Sequence, residues 1–252
     1  MSVLVRMEAS RPSQRQTIGL ERRTAASLLV LTCLALGESN AAAGADDSRS
    51  SASPRHDSVS GAGGPWLSIG GLFGSTQPDG ELADYQWDTT PRASFGVQAL
   101  AGNDRFASGL RVWNTRTTQH VGIPDQAAKA TVHTTSVELV GQAKLATAWR
   151  TEVHAIAGGG LLHIGYEPER ITIDSGGTPI VVDLKALNEW VAGGGLALRR
   201  RLASAWSAGL ELDYRIYGLD TAHRNGNDIE FSRETFGDWS ARLELAWLYR
   251  RR

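Results

Sequence analysis

Eight ionisable residues of mixed sign share one kind of position in this chain: Arg111, Glu138, Lys144, Glu211, Asp213, Arg215, Arg242 and Glu244 each sit between apolar or small neighbours. Glu211, Asp213 and Arg215 are spaced by two, and Leu210, Leu212 and Tyr214 fill the positions between them. In an extended strand that spacing puts the charges on one face and the apolar residues on the other. Two kinds of chemistry are open to such a set. One is an interior network of ion pairs that fixes a structure. The other is a gate, in which a change of partners opens a narrow ion path. Buried charges must be paired whatever the function, so the structural network is the expectation and the gate its alternative. Asp213 and Arg242 are expected to meet across the last two strands.

Other chemistry finds little footing. His120, His133, His154 and His163 are scattered, without the close ligand spacing of a metal site. Gly158 to Gly160 and Gly193 to Gly195 open no helix and lack the Lys-Ser/Thr of a phosphate loop. No catalytic residue, metal or cofactor is expected. Lys plus Arg (26) and Asp plus Glu (27) nearly cancel, which leaves no global field to attract nucleic acid. The only cysteine, Cys33, lies in an apolar run from Ala25 to Leu36, preceded by Arg22-Arg23 and followed by Ala41 to Ala45. This is the plan of a secretory signal peptide, assigned to residues 1–45, starting at Met1 or Met7 and cut after Ala43 or Ala45. The exported chain then has neither disulfides nor thiolate chemistry.

The elements that position the charges follow from the rest of the pattern. Residues 46–64 are rich in Ser, Gly, Ala and Asp and read as a flexible leader. From residue 65 to 252, period-two alternation recurs eight times: Trp66 to Ser75, Arg92 to Ala101, Arg105 to Arg116, Thr134 to Ala146, Thr151 to Tyr166, Trp190 to Arg200, Trp206 to Tyr217 and Trp239 to Tyr249. The connections alternate between long and short, with long polar loops expected at Thr76 to Pro91, up to about Thr131, from Glu167 to Asn188 and from Leu219 to Gly237. The short turns are basic and the long loops mostly acidic, the latter read as solvated surface. On the later strands the apolar face carries Trp and Tyr towards its ends and Leu between them. A bilayer sorts residues by depth in this way, because Trp and Tyr settle at headgroup level. The fold class is therefore all-β, an eight-stranded antiparallel up-and-down transmembrane β-barrel, with short periplasmic turns and long external loops.

The segment Gly209-Leu210-Glu211-Leu212-Asp213-Tyr214-Arg215, with Ala157-Gly158-Gly159-Gly160-Leu161 and Ala192-Gly193-Gly194-Gly195-Leu196, resembles small outer-membrane barrels related to the opacity proteins and to the transmembrane domain of outer-membrane protein A. The resemblance covers Pro65 to Tyr249. It implies a place in the bacterial outer membrane, contact with its lipids and lipopolysaccharide, insertion by the barrel-assembly machinery, and a monomer. Those families end on an aromatic residue, whereas here Arg250 to Arg252 follow Tyr249; the peptidoglycan-binding domain of larger relatives is not expected. His223-Arg224-Asn225-Gly226 resembles the His-x-Ser pair of lipid A deacylases, but Asn225 stands where the nucleophile belongs, and Asn-Gly is a turn former. Gly64-Pro65-Trp66 resembles the opening of a lipocalin, a rival barrel that would bind a ligand inside and face water outside. The expected role is structural or surface-interacting, through the external loops and an extracellular ligand. The alternatives are a narrow pore or a small hydrophobic-molecule transport barrel, and a secreted binding barrel.

Overall fold

The computed structural model describes residues 4–6, 64–122, 128–175, 178–225 and 228–250. Eight strands follow one another along the chain: β1 (Trp66–Gln77), β2 (Arg92–Gly102), β3 (Phe106–Val121), β4 (Ala128–Ala148), β5 (Thr151–Glu167), β6 (Leu187–Arg201), β7 (Trp206–Asn225) and β8 (Asp228–Arg250). Each pairs antiparallel with the next, and β8 returns to β1 from Trp239↔Gln77 to Arg250↔Trp66. The ring therefore has no open edge. Leu4–Arg6 lies parallel to Thr221–His223 within the segment expected to be an export signal, and the ring closes without it. The rest of that signal and the leader up to residue 63 lie outside the described residues.

All eight strands stand where the alternation puts them, but all except β2 run further at the outer end. The second and fourth long loops are largely ladder: β3 and β4 stay paired to Val121↔Ala128, and β7 and β8 to Asn225↔Asp228. The physical reason is that beyond the membrane the outward face is no longer apolar, so hydrogen bonding continues after the lipid-facing signal has stopped. Gly226 and Asn227, at the tip after His223, lie outside the described residues. Between β5 and β6, Arg170–Ser175 pairs with Thr178–Asp183 as a separate hairpin. Its Ile171 and Ile173 pack with Ala130 beside Val121 and Tyr166, which ties it to the top of β3 and β4.

The turns at the other end are tight. Trp149 and Arg150, alone between β4 and β5, have φ of 48° and 67°. Two left-handed central residues are what a two-residue hairpin needs to match strand twist.

Candidate functional site

The burial pattern divides each strand into a wall side and a lumen side. Leu67, Ile69, Phe73, Val97, Leu110, Leu139, Leu161, Leu196, Leu212, Leu243 and Leu245 are all exposed on the outside of the ring. Aromatic residues bracket them. Trp206 pairs with Trp247 near the short turns, and Tyr214 pairs with Trp239 near the outer end, their rings 4.9 Å apart. From Trp206 to Tyr214 is eight steps, about 27 Å along a strand before tilt. An apolar wall bounded by two aromatic girdles, with charge inside, is the inverse of a soluble barrel. This is a transmembrane β-barrel of the outer-membrane type. The chain accordingly sits in the bacterial outer membrane, and the lipocalin arrangement, which needs its polar face outward, is overturned by the same wall.

Comparison with known proteins adds no role. No family model matches the chain, and no curated protein matches it. Among solved structures it is similar to the outer membrane protein OprG from Pseudomonas aeruginosa, at 11% identity over 75% of this chain and 98% of that one, with a TM-score of 0.44. It is also similar to Outer Membrane Protein W of E. coli, at 14% identity, 75% and 98% coverage and a TM-score of 0.42. For the outer membrane protein AlkL the values are 12%, 82%, 98% and 0.42.

Inside the ring, a charged layer fills the middle. Arg111 donates through Nη1 to Asp213 Oδ2 at 3.2 Å and through Nη2 to Gln98 Oε1 at 3.1 Å, and it also pairs with Glu211. Arg242 donates to the same Asp213 Oδ2, so the expected Asp213–Arg242 contact is present. Arg199 is held from three sides, by Glu244 at 2.7 Å, Glu211 at 3.2 Å and Gln142. The Gln98 amide donates to both Glu244 and Glu211, bridging two carboxylates that would otherwise repel. Arg215 donates to Asp238 at 2.6 Å and lies 3.5 Å from Glu138, which also accepts from Trp113 Nε1 (2.8 Å) and Ser136 Oγ (2.6 Å). Four guanidinium groups thus meet five carboxylates, with no side chain more than 11% exposed.

Nε and Nη1 of both Arg215 and Arg242 have no hydrogen-bond acceptor among the described residues. Beside their carboxylate partners both groups also meet a π face: Arg215 Cζ lies 3.5 Å and Arg242 Cζ 5.5 Å from the centre of the Trp113 ring. Room for these long side chains comes from bare backbone across the ladder. Arg215 pairs with Gly193, Asp213 with Gly195 and Glu138 with Gly160. A Cβ on Gly193 would stand 2.7 Å from Arg215 Cγ, and one on Gly195 would stand 2.8 Å from Asp213 Cβ.

Seven of the eight residues singled out from sequence belong to this layer. Lys144 does not: it lies nearer the short turns, 3.3 Å from Glu152. Parity puts a side chain in the lumen but does not set its depth, and one turn of alternation separates Lys144 from Gln142. Gln98, Trp113, Gln142, Arg199 and Asp238 also belong to the layer. Arg199 and Asp238 have the inward parity of Ala197 and Ser240, a signal that was available. Among the described residues no group of His, Cys, Asp and Glu is placed to hold a metal ion.

Above the charged layer the lumen is apolar and closed. The first loop forms a 3-10 helix, Gly80–Tyr85, capped at its start by the Asp79 carboxylate, which accepts from Glu81 N. The helix turns inward, and Leu82, Tyr85 and Trp87 pack against Val132, Leu162, Ile164, Val191, Tyr217, Leu219 and Phe236, all buried. Latches hold it down: Asp79 accepts from the Gly237 amide at 2.9 Å, Tyr85 donates to Glu234 at 2.7 Å, and Gln119 donates to the Tyr85 carbonyl at 3.1 Å.

Proposed function

We propose that this barrel works from its outer end: a closed envelope protein whose external strands and loops contact surfaces or extracellular ligands, with the interior network serving as scaffold. One observation carries the reading. The lumen is obstructed at two levels, by the ion-paired layer around Arg111, Asp213 and Arg242 and by the first loop packed above it. What remains available for interaction is the rim built by the β3–β4 and β7–β8 extensions and the Arg170–Asp183 hairpin. Because the ring satisfies its own strand edges, assembly needs no second copy, and the wall meets lipid and lipopolysaccharide directly.

The test is to trim the rim. Replacing residues 168–186 and the outer ends of β7 and β8 by short turns should leave a folded, heat-modifiable barrel. Adhesion to host-cell layers and phage adsorption by the expressing strain should fall together. Full rescue of every deletion phenotype by the trimmed barrel would contradict the reading. A second reading, passage of small hydrophobic molecules, is favoured by the apolar lining of the upper lumen, and it requires the first loop to leave.

A further inference from the structure

The periplasmic mouth of the barrel differs from everything above it. A cavity of about 540 Å³ opens there between the ends of β1, β4, β5, β6, β7 and β8. Lys144, Arg150, Arg199, Arg200, Arg201 and Arg250 line it, against only two carboxylates, Asp104 and Glu152. Both carboxylates are engaged: Glu152 lies 3.3 Å from Lys144 and 3.3 Å from His154, and Asp104 lies 3.3 Å from Arg250. Arg199 is committed to the charged layer and forms the closed floor. That leaves Arg150 and Arg201 at one hollow with no carboxylate in ion-pair range among the described residues, with Arg200 at its edge on the outward parity of Leu198.

We propose that this mouth is a binding site for phosphate-bearing oligoanions. Three features point the same way. The excess positive charge is gathered at the exposed rim of one hollow, where the fields of neighbouring guanidinium groups add. Guanidinium forks match phosphate oxygens in pairs, which ammonium groups and hydroxyls do not. The floor is sealed, so an anion drawn in is held there and does not pass through. The ligand needs several charges within a short span, as a phosphoanhydride or a multiply phosphorylated solute has. The phosphate has two possible sources, a periplasmic solute or the headgroup of an inner-leaflet lipid, which would reach the mouth beside the exposed Trp149 and Leu202. The inference is independent of what the outer loops contact.

Titration of the full barrel chain in zwitterionic micelles with inorganic tripolyphosphate, followed by calorimetry, tests it. Saturable one-site binding is expected, weakened by added salt. The double variant Arg150→Gln/Arg201→Gln should bind at least tenfold more weakly while keeping its heat-modifiable migration. Arg201→Lys, which keeps charge but loses the fork, should fall between the two. Arg116→Gln, at the outer end, should bind as the parent does. Competition by phosphatidylglycerol doped into the micelles would assign the site to headgroups, and its absence to a solute. No saturable binding, an unchanged double variant, or an equal loss in Arg116→Gln would overturn the proposal.

Discussion

Arg242 reaches past its ladder partner to bind Asp213. The register sets Arg242 opposite Glu211 and Asp213 opposite Ser240, yet the Arg242 guanidinium donates to Asp213 Oδ2, the oxygen that also accepts from Arg111. One carboxylate thereby ties β3 to β8 through β7. Removing it strands the buried Arg242 and leaves Arg111 with Glu211 as its carboxylate partner, and breaking a buried pair costs about 3–5 kcal/mol. Asp213→Ala should lower barrel stability by that order in urea unfolding from lipid vesicles. Adding Arg242→Ala should cost little more; a fully additive double-mutant cycle would contradict the coupling.

Trp113 serves the same layer in a different way, as donor to Glu138 and as π face for Arg215. Trp113→Leu stays apolar but loses both, and should destabilise by at least about 1–3 kcal/mol, a lost hydrogen bond to a charged group plus a desolvated cation–π contact, with the cavity left by the smaller side chain added to it. Trp113→Phe should recover part of that loss. Equal unfolding midpoints for the two variants would show that the ring face contributes nothing.

The glycine ladder gives a paired test. A methyl at Gly193 would stand 2.5 Å from the Tyr214 carbonyl oxygen and 2.7 Å from Arg215, whereas at Gly141 the nearest atom is 3.8 Å away. Overpacking of a filled interior costs about 1–3 kcal/mol. Gly193→Ala should therefore lower folding yield and stability, and Gly141→Ala should change neither. Similar behaviour of the two would mean the lumen is looser than these contacts imply.

The first loop should respond to acid. The Asp88 carboxyl is held below its usual range, chiefly by hydrogen bonds from the Thr90 hydroxyl and amide, with Arg92 adding to them. A carboxyl whose pKa is depressed in the folded state stabilises above its unfolded value, here 3.8, and loses that contribution as pH falls through the lower folded value. Amide exchange at Thr90 should stay slow down to about that pH and then accelerate with falling pH beyond intrinsic rates. Asp88→Asn should abolish the dependence.

The wall and the lumen were legible in the sequence for different reasons, and to different depths. The bilayer sorts Trp206, Leu210, Leu212 and Tyr214 by height, and pleating separates them from Glu211 and Asp213, so one strand reports both place and polarity. The outer strand ends carry a weaker signal, because the outward residues Thr118 and Asp220 are no longer apolar and the inward Thr117, Gln119 and Thr221 are buried but polar, so hydropathy no longer alternates. The inward first loop was illegible: Leu82, Tyr85 and Trp87 find their partners at Val132, Leu162 and Phe236, far along the chain, and no local pattern encodes that meeting. Lys144 shows the same limit inside a strand, with correct parity and the wrong depth.

The closed lumen is the centre of the account, and planar-bilayer recording tests it most directly. The purified barrel in symmetric potassium chloride should give a flat baseline, and Asp213→Ala/Arg242→Ala should open discrete steps only when Leu82 is also replaced by Asp to free the first loop. Sustained conductance by the unaltered chain would contradict it.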